Sequence, residues 1–79
     1  MRWYRVNVDY IWEDTDKIAL SVSHPAKTKE AAIAIYNNEI EQGARCADDK
    51  SKPAKIDLTE YIYSSKLDRT RTEILCKNY

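Results

Sequence analysis

Few side chains in this 79-residue chain could do covalent or metal chemistry: one histidine, His24, two cysteines, Cys46 and Cys76, and short acidic runs at 13–16 and 48–49. Nucleophilic catalysis needs a Ser, Cys or Thr with a base in hydrogen-bond reach. His24 precedes Pro25 at what reads as a strand-to-helix corner, so it is expected as a loop or capping residue, and no spacing ties it to either cysteine. The runs "EDTD" and "DD" supply carboxylates. Neither has the alternating Asp/Asn positions, closed by Gly and Glu, that a calcium loop uses, so both read as charged turns. Two cysteines without a CxxC pair suggest neither a zinc site nor a disulfide framework, and free thiols are expected. Phosphate cradling needs glycines whose backbone can approach the ligand, and Gly43 is the only glycine. No catalytic residue, metal or cofactor is expected, and the chain reads as non-enzymatic.

The aromatic residues carry a different message. There are six Tyr, two Trp and no Phe, so every ring has a polar handle. Such rings suit places where one end is apolar and the other meets water or a partner. The stretch "RWYRVNVDYIW" alternates, with Tyr4, Val6, Val8, Tyr10 and Trp12 on one side and Trp3, Arg5, Asn7, Asp9 and Ile11 on the other. Period two is a strand, and the even side is assigned to the core. The opposite face then presents Trp3, Arg5, Asn7 and Asp9, with Asp57, Thr59, Tyr61 and Tyr63 from a third strand and Arg71, Glu73, Leu75 and Lys77 from a fourth. Trp, Tyr and Arg dominate interface hot spots. Trp3, Arg5, Tyr61, Tyr63 and Arg71 are therefore the candidate partner-binding residues. The competing reading is ordinary sheet surface, because the same rings pack well across a pleated sheet. Arg5, Arg71 and Lys77 are answered in number by Asp9, Asp57 and Glu73, a mixture that suits a protein partner better than a phosphate backbone.

The remaining elements follow from changes of period. Residues 13–16 are a turn, and 17–23 alternate again with Ile18, Leu20 and Val22 inward, completing an antiparallel hairpin. Pro25 is expected to end that strand. In 24–43 the period becomes helical, with Thr28 as N-cap, Glu30 in the first turn, and an apolar face of Ile33, Tyr36 and Ile40 flanked by Ala32 and Ile35. Gly43 falls at the C′ position. Residues 44–55 read as a polar loop. In 55–63, Ile56, Leu58 and Ile62 point inward, and Glu60 breaks the pattern, which implies an uncertain register or a bulge. Residues 64–70 form a turn, and 71–79 the last strand, with Thr72, Ile74 and Cys76 on one face. The expected fold is α+β: one small domain over 1–79, order ββαββ, a four-stranded, mainly antiparallel sheet with one helix packed on one face. The first and third strands are expected side by side in the middle.

Charge narrows the partner classes. Thirteen basic and thirteen acidic residues give zero formal net charge, whereas small nucleic-acid binders draw much of their affinity from a basic excess. Single-stranded nucleic-acid binding is the alternative reading, with Trp3, Tyr61 and Tyr63 stacking on bases. It requires Arg45, Lys50, Lys52 and Lys55 in the long loop to lie near Lys66, Arg69 and Arg71 in the last turn, despite Asp48, Asp49 and Asp68. There is no signal-peptide pattern and no membrane-length apolar run, so a cytoplasmic protein without membrane contact is expected. The last strand reads as a sheet edge, which allows a monomer or a homodimer paired there, with Leu75 outward. In element order alone the chain resembles accessory proteins of phages and mobile elements, anti-CRISPR inhibitors among them. That resemblance implies action by binding and carries no individual residues over.

Overall fold

The N-terminal alternation forms a central strand. The computed structural model describes residues 1–15, 17–42, 50–63 and 69–79. Within them run β1 (Arg2–Trp12), β2 (Ile18–Ala26), α1 (Lys29–Glu41), β3 (Ser51–Tyr63) and β4 (Arg69–Asn78). The strands make one sheet in the order β2-β1-β3-β4, with every neighbouring pair antiparallel. The order is ββαββ, and β1 and β3 occupy the middle, as expected.

The helix packs on the face that carries the even residues of β1. Tyr4, Val6, Val8 and Tyr10 are buried there with Ile56 and Leu58 of β3 and with Ala32 and Tyr36 of α1. Ile33, Ile35 and Ile40 pack half-buried around them, so both the helical and the strand periodicity end in one apolar layer. Trp12, expected in this set, is only half-buried at the last rung of β1. Thr28 caps the helix: its Oγ1 accepts from the Ala31 N–H at 3.2 Å, satisfying one of the helix's free N-terminal donors. Glu30 stands in the first turn. Gly43, residues 44–49 of the expected polar loop and residues 64–68 of the expected turn lie outside the described residues.

Five expectations need correction. First, β2 does not stop at Pro25 but runs to Ala26, with Pro25 opposite Arg5. An edge strand tolerates proline because half of its N–H groups have no ladder to join. Second, β3 begins at Ser51, not at 55. The β4 ladder ends at the Lys55–Asn78 pair, so Pro53 sits where β3 is itself an edge. Third, Glu60 breaks no register against β1. It lies opposite Tyr4, accepts the Tyr4 hydroxyl at 2.9 Å and approaches Arg2 Nε at 3.8 Å.

The bulge is on the other side of β3, between the Leu58–Leu75 and Thr59–Glu73 pairs, and leaves Ile74 as the extra residue. Ile74 packs against the core. Beyond it the faces exchange: Leu75 and Lys77 lie opposite Leu58 and Ile56 on the helix side, and Cys76 lies opposite Asp57 on the open side. Continuous alternation put all three on the wrong faces, because one inserted residue reverses everything after it. The fifth correction has the same cause. A shift between Tyr10 and Ile11 pairs Ile18 with Ile11, and Ile18 is 67% exposed instead of buried.

Candidate binding surface

The face of the sheet opposite α1 is built from cross-strand rungs. Trp3, Tyr61 and Arg71 form one rung; Tyr63 and Arg69 lie beyond it. Pro25, Arg5, Thr59 and Glu73 form the next, then Ser23, Asn7, Asp57 and Cys76, then Ser21, Asp9 and Lys55. All five candidate residues, Trp3, Arg5, Tyr61, Tyr63 and Arg71, therefore share one end of one face. Arg69 joins them. Extending the β4 alternation back two residues from Arg71 would have found it; reading residues 64–70 as turn hid it.

The rings at this end are ordered against one another. Trp3 stacks on Tyr61 with centroids 4.6 Å apart and planes 15° from parallel, and Tyr63 lies 6.5 Å from Trp3 at 10°. The Arg5 guanidinium is 4.9 Å from the Trp3 ring centre and 5.4 Å from that of Tyr61. Arg69 stands 6.0 Å from the Tyr63 ring. The backbone anchors this corner, because the Met1 nitrogen donates to the Tyr63 carbonyl at 2.7 Å and the Tyr63 N–H donates back to Met1 at 2.7 Å. The rings are half-buried by mutual contact, while Arg69 and Arg71 are exposed. An open cleft of about 520 Å³ lies among Tyr61, Tyr63, Arg69 and Arg71.

The acids of the same face begin with Glu73 in the Arg5 rung, continue with Asp57 and Asp9, and have partners of their own. Asp57 accepts from Asn7 Nδ2 at 3.1 Å and from Thr59 Oγ1 at 3.1 Å. Ser23 donates to Asn7 at 2.6 Å, and Ser21 donates to Asp9 at 2.7 Å. Lys55 bridges to Glu73 at 3.3 Å, and its hydrogen bond to that carboxylate holds the ammonium pKa above the ordinary lysine value. Among the described residues no carboxylate pairs with Arg5, Arg69 or Arg71.

Among the described residues the groups that could do chemistry do not assemble. His24 is in β2, not at a corner, and faces the helix, with Nε2 3.3 Å from Glu39 Oε1. Cys76 is on the opposite face of the sheet, so these two form no dyad. Desolvation and the neighbouring Glu73 also push the Cys76 thiol up, away from the reactive thiolate. Cys46 lies outside the described residues. Among the described residues no group of three or more His, Cys, Asp or Glu could hold a metal ion. No helix there is long and apolar enough to cross a membrane.

The two basic clusters separate as well. Lys50 and Lys52 lie at the start of β3, whereas Arg69 and Arg71 lie beside its far end; Arg45 and Lys66 are outside the described residues. No protein-family model, curated protein or solved structure matches this chain.

Proposed function

We propose that this protein is a small non-enzymatic binding module that engages a protein partner through the open face of its sheet. It would act by occupancy, as an inhibitor or adaptor does. Trp3, Arg5, Tyr61, Tyr63 and Arg71 are the contact residues. The observation that carries this reading is the ordered, half-exposed stack of Trp3, Tyr61 and Tyr63 beside arginines that pair with no carboxylate among the described residues. Rigid aromatic rings lose little conformational freedom on contact, and Trp, Tyr and Arg concentrate interface energy.

The nucleic-acid alternative draws less support. Base stacking needs free ring faces, and here the rings lie against each other and against Arg5. Lys50 and Lys52 stand at the far end of β3 from Arg69 and Arg71, and Lys55 is paired with Glu73. The test is capture from bacterial lysate by wild type and by a Trp3→Ala/Tyr61→Ala variant shown by circular dichroism to be folded. Capture of the same protein with or without nuclease, lost in the variant, is the expected result. Capture abolished by nuclease would replace this reading with nucleic-acid binding, and equal capture by both proteins would refute the aromatic face as the interface.

A further inference from the structure

Resting on that reading, we infer that the partner presents an acidic, extended peptide segment, and that Arg69 and Arg71 receive its carboxylates at the rim of the Tyr61–Tyr63 cleft. The chain has equal numbers of acids and bases, yet on this face they are sorted. Asp9, Asp57 and Glu73 are matched with Ser21, Asn7, Thr59 and Lys55. Arg69 and Arg71 lie opposite Tyr63 and Tyr61 instead of opposite acids. The Arg69 guanidinium lies 6.0 Å from the Tyr63 ring centre and both arginines are exposed, so each planar fork is open to a carboxylate it can match bidentately. The Tyr61 and Tyr63 hydroxyls have no hydrogen-bond partner among the described residues, so they add free donors to the cleft.

Spacing and extent select the occupant. Arg69 and Arg71 are two residues apart on one face, roughly 6.6–7 Å along the strand. Acidic residues at i and i+2 of an extended peptide repeat at the same distance. Glu73 follows on the same face, so a polyanion running along the strand would leave the arginines and meet a carboxylate. A short acidic segment need not extend that far.

The probe is a capped hexapeptide of alternating Glu and Thr, titrated into the ¹⁵N-labelled full chain and followed by NMR. A Gln/Thr hexapeptide and a six-nucleotide oligothymidylate are the comparisons. Expected are saturable shifts centred on Tyr61, Tyr63, Arg69 and Arg71, absent with the Gln/Thr peptide. Affinity should weaken about tenfold in an Arg69→Gln/Arg71→Gln variant, as two exposed charge-assisted contacts warrant, and should fall as salt rises. No shifts at millimolar peptide, equal response to the neutral peptide, or tighter binding of the oligonucleotide would each overturn the inference. A partner captured from lysate, lost with Trp3→Ala/Tyr61→Ala but indifferent to the arginine variant, would overturn it while leaving the sheet-face reading standing.

Discussion

The bulge at Ile74 ends the open-face run of β4, and it can be tested by two alanine substitutions one residue apart. Leu75 lies opposite Leu58 on the helix side and is 37% exposed. Leu75→Ala removes about three methylene equivalents, about 2.4 kcal/mol for a fully enclosed side chain. Scaled to the covered fraction, the cost is about 1.5 kcal/mol, with little cavity penalty because the site opens to water. For a domain of this size that lowers the melting temperature by about 6–12 °C. Cys76 is exposed, and Cys76→Ala should change stability by less than about 0.5 kcal/mol. The assay is thermal and urea unfolding followed by far-ultraviolet circular dichroism under reducing conditions. Unbroken alternation reverses the order, with Cys76 inside and Leu75 out. If Cys76→Ala costs more than Leu75→Ala, the register beyond Ile74 is wrong, and so is the boundary of the candidate surface.

Two further outcomes follow from the polar contacts. Asn7→Ala removes a donor to Asp57, which is only 9% exposed and keeps Thr59; urea unfolding should register a loss of about 1–3 kcal/mol, and a loss under about 0.5 kcal/mol would mean water replaces Asn7 freely. Alkaline pH should destabilise the fold. Burial foremost raises the Tyr4 and Tyr36 pKa values, so above about pH 10 the unfolded chain gives up these protons first and stability falls as pH rises. Lys55 acts with the same sign, because its raised value preserves a contribution at lower pH that is lost as pH rises through it. Melting curves between about pH 9 and 11 should fall less steeply for Tyr36→Phe than for wild type, and identical slopes would remove Tyr36 from the account.

Much of the architecture was legible because its central strand and its helix each advertise a clean period. β1 alternates without interruption, α1 has its cap and apolar face in sequence, and together they place the core. The errors gather where a ladder loses or gains a residue. Nothing in the local residue types distinguishes Ile74 as an insertion, since the bulge is defined by what β3 places opposite it. Pro25 and Pro53 misled for a related reason: a proline forbids a central strand but not an edge, and which strands are edges is a property of the assembled sheet. Glu60 looked like a fault in the pattern because its partner, the Tyr4 hydroxyl, is 56 residues away in sequence. The candidate surface was legible as a set of residues, but its internal order was not. Alternation puts Trp3, Tyr61 and Tyr63 on one face; only the β1–β3 register puts Trp3 directly across from Tyr61.

That register also bears on whether the face is ordinary sheet surface. A sheet face that serves only the fold gains about 0.2–1 kcal/mol from each opposite-charge pair placed across strands, and rings are equally serviceable against β-branched neighbours. With thirteen charges of each sign available, such pairs would be easy to supply. Instead Arg71 lies opposite Tyr61, Arg69 opposite Tyr63, and Arg5 between Pro25 and Thr59. The carboxylates of the same face, from the Arg5 rung onward, are matched with Asn7, Ser21, Thr59 and Lys55. The contacts of Arg5 with Trp3 and Tyr61 and of Arg69 with Tyr63 recover some of the forgone energy. They do so while Arg69 and Arg71 stay exposed and the Tyr61 and Tyr63 hydroxyls stay without a hydrogen-bond partner among the described residues, which is the arrangement the proposed acidic partner would use.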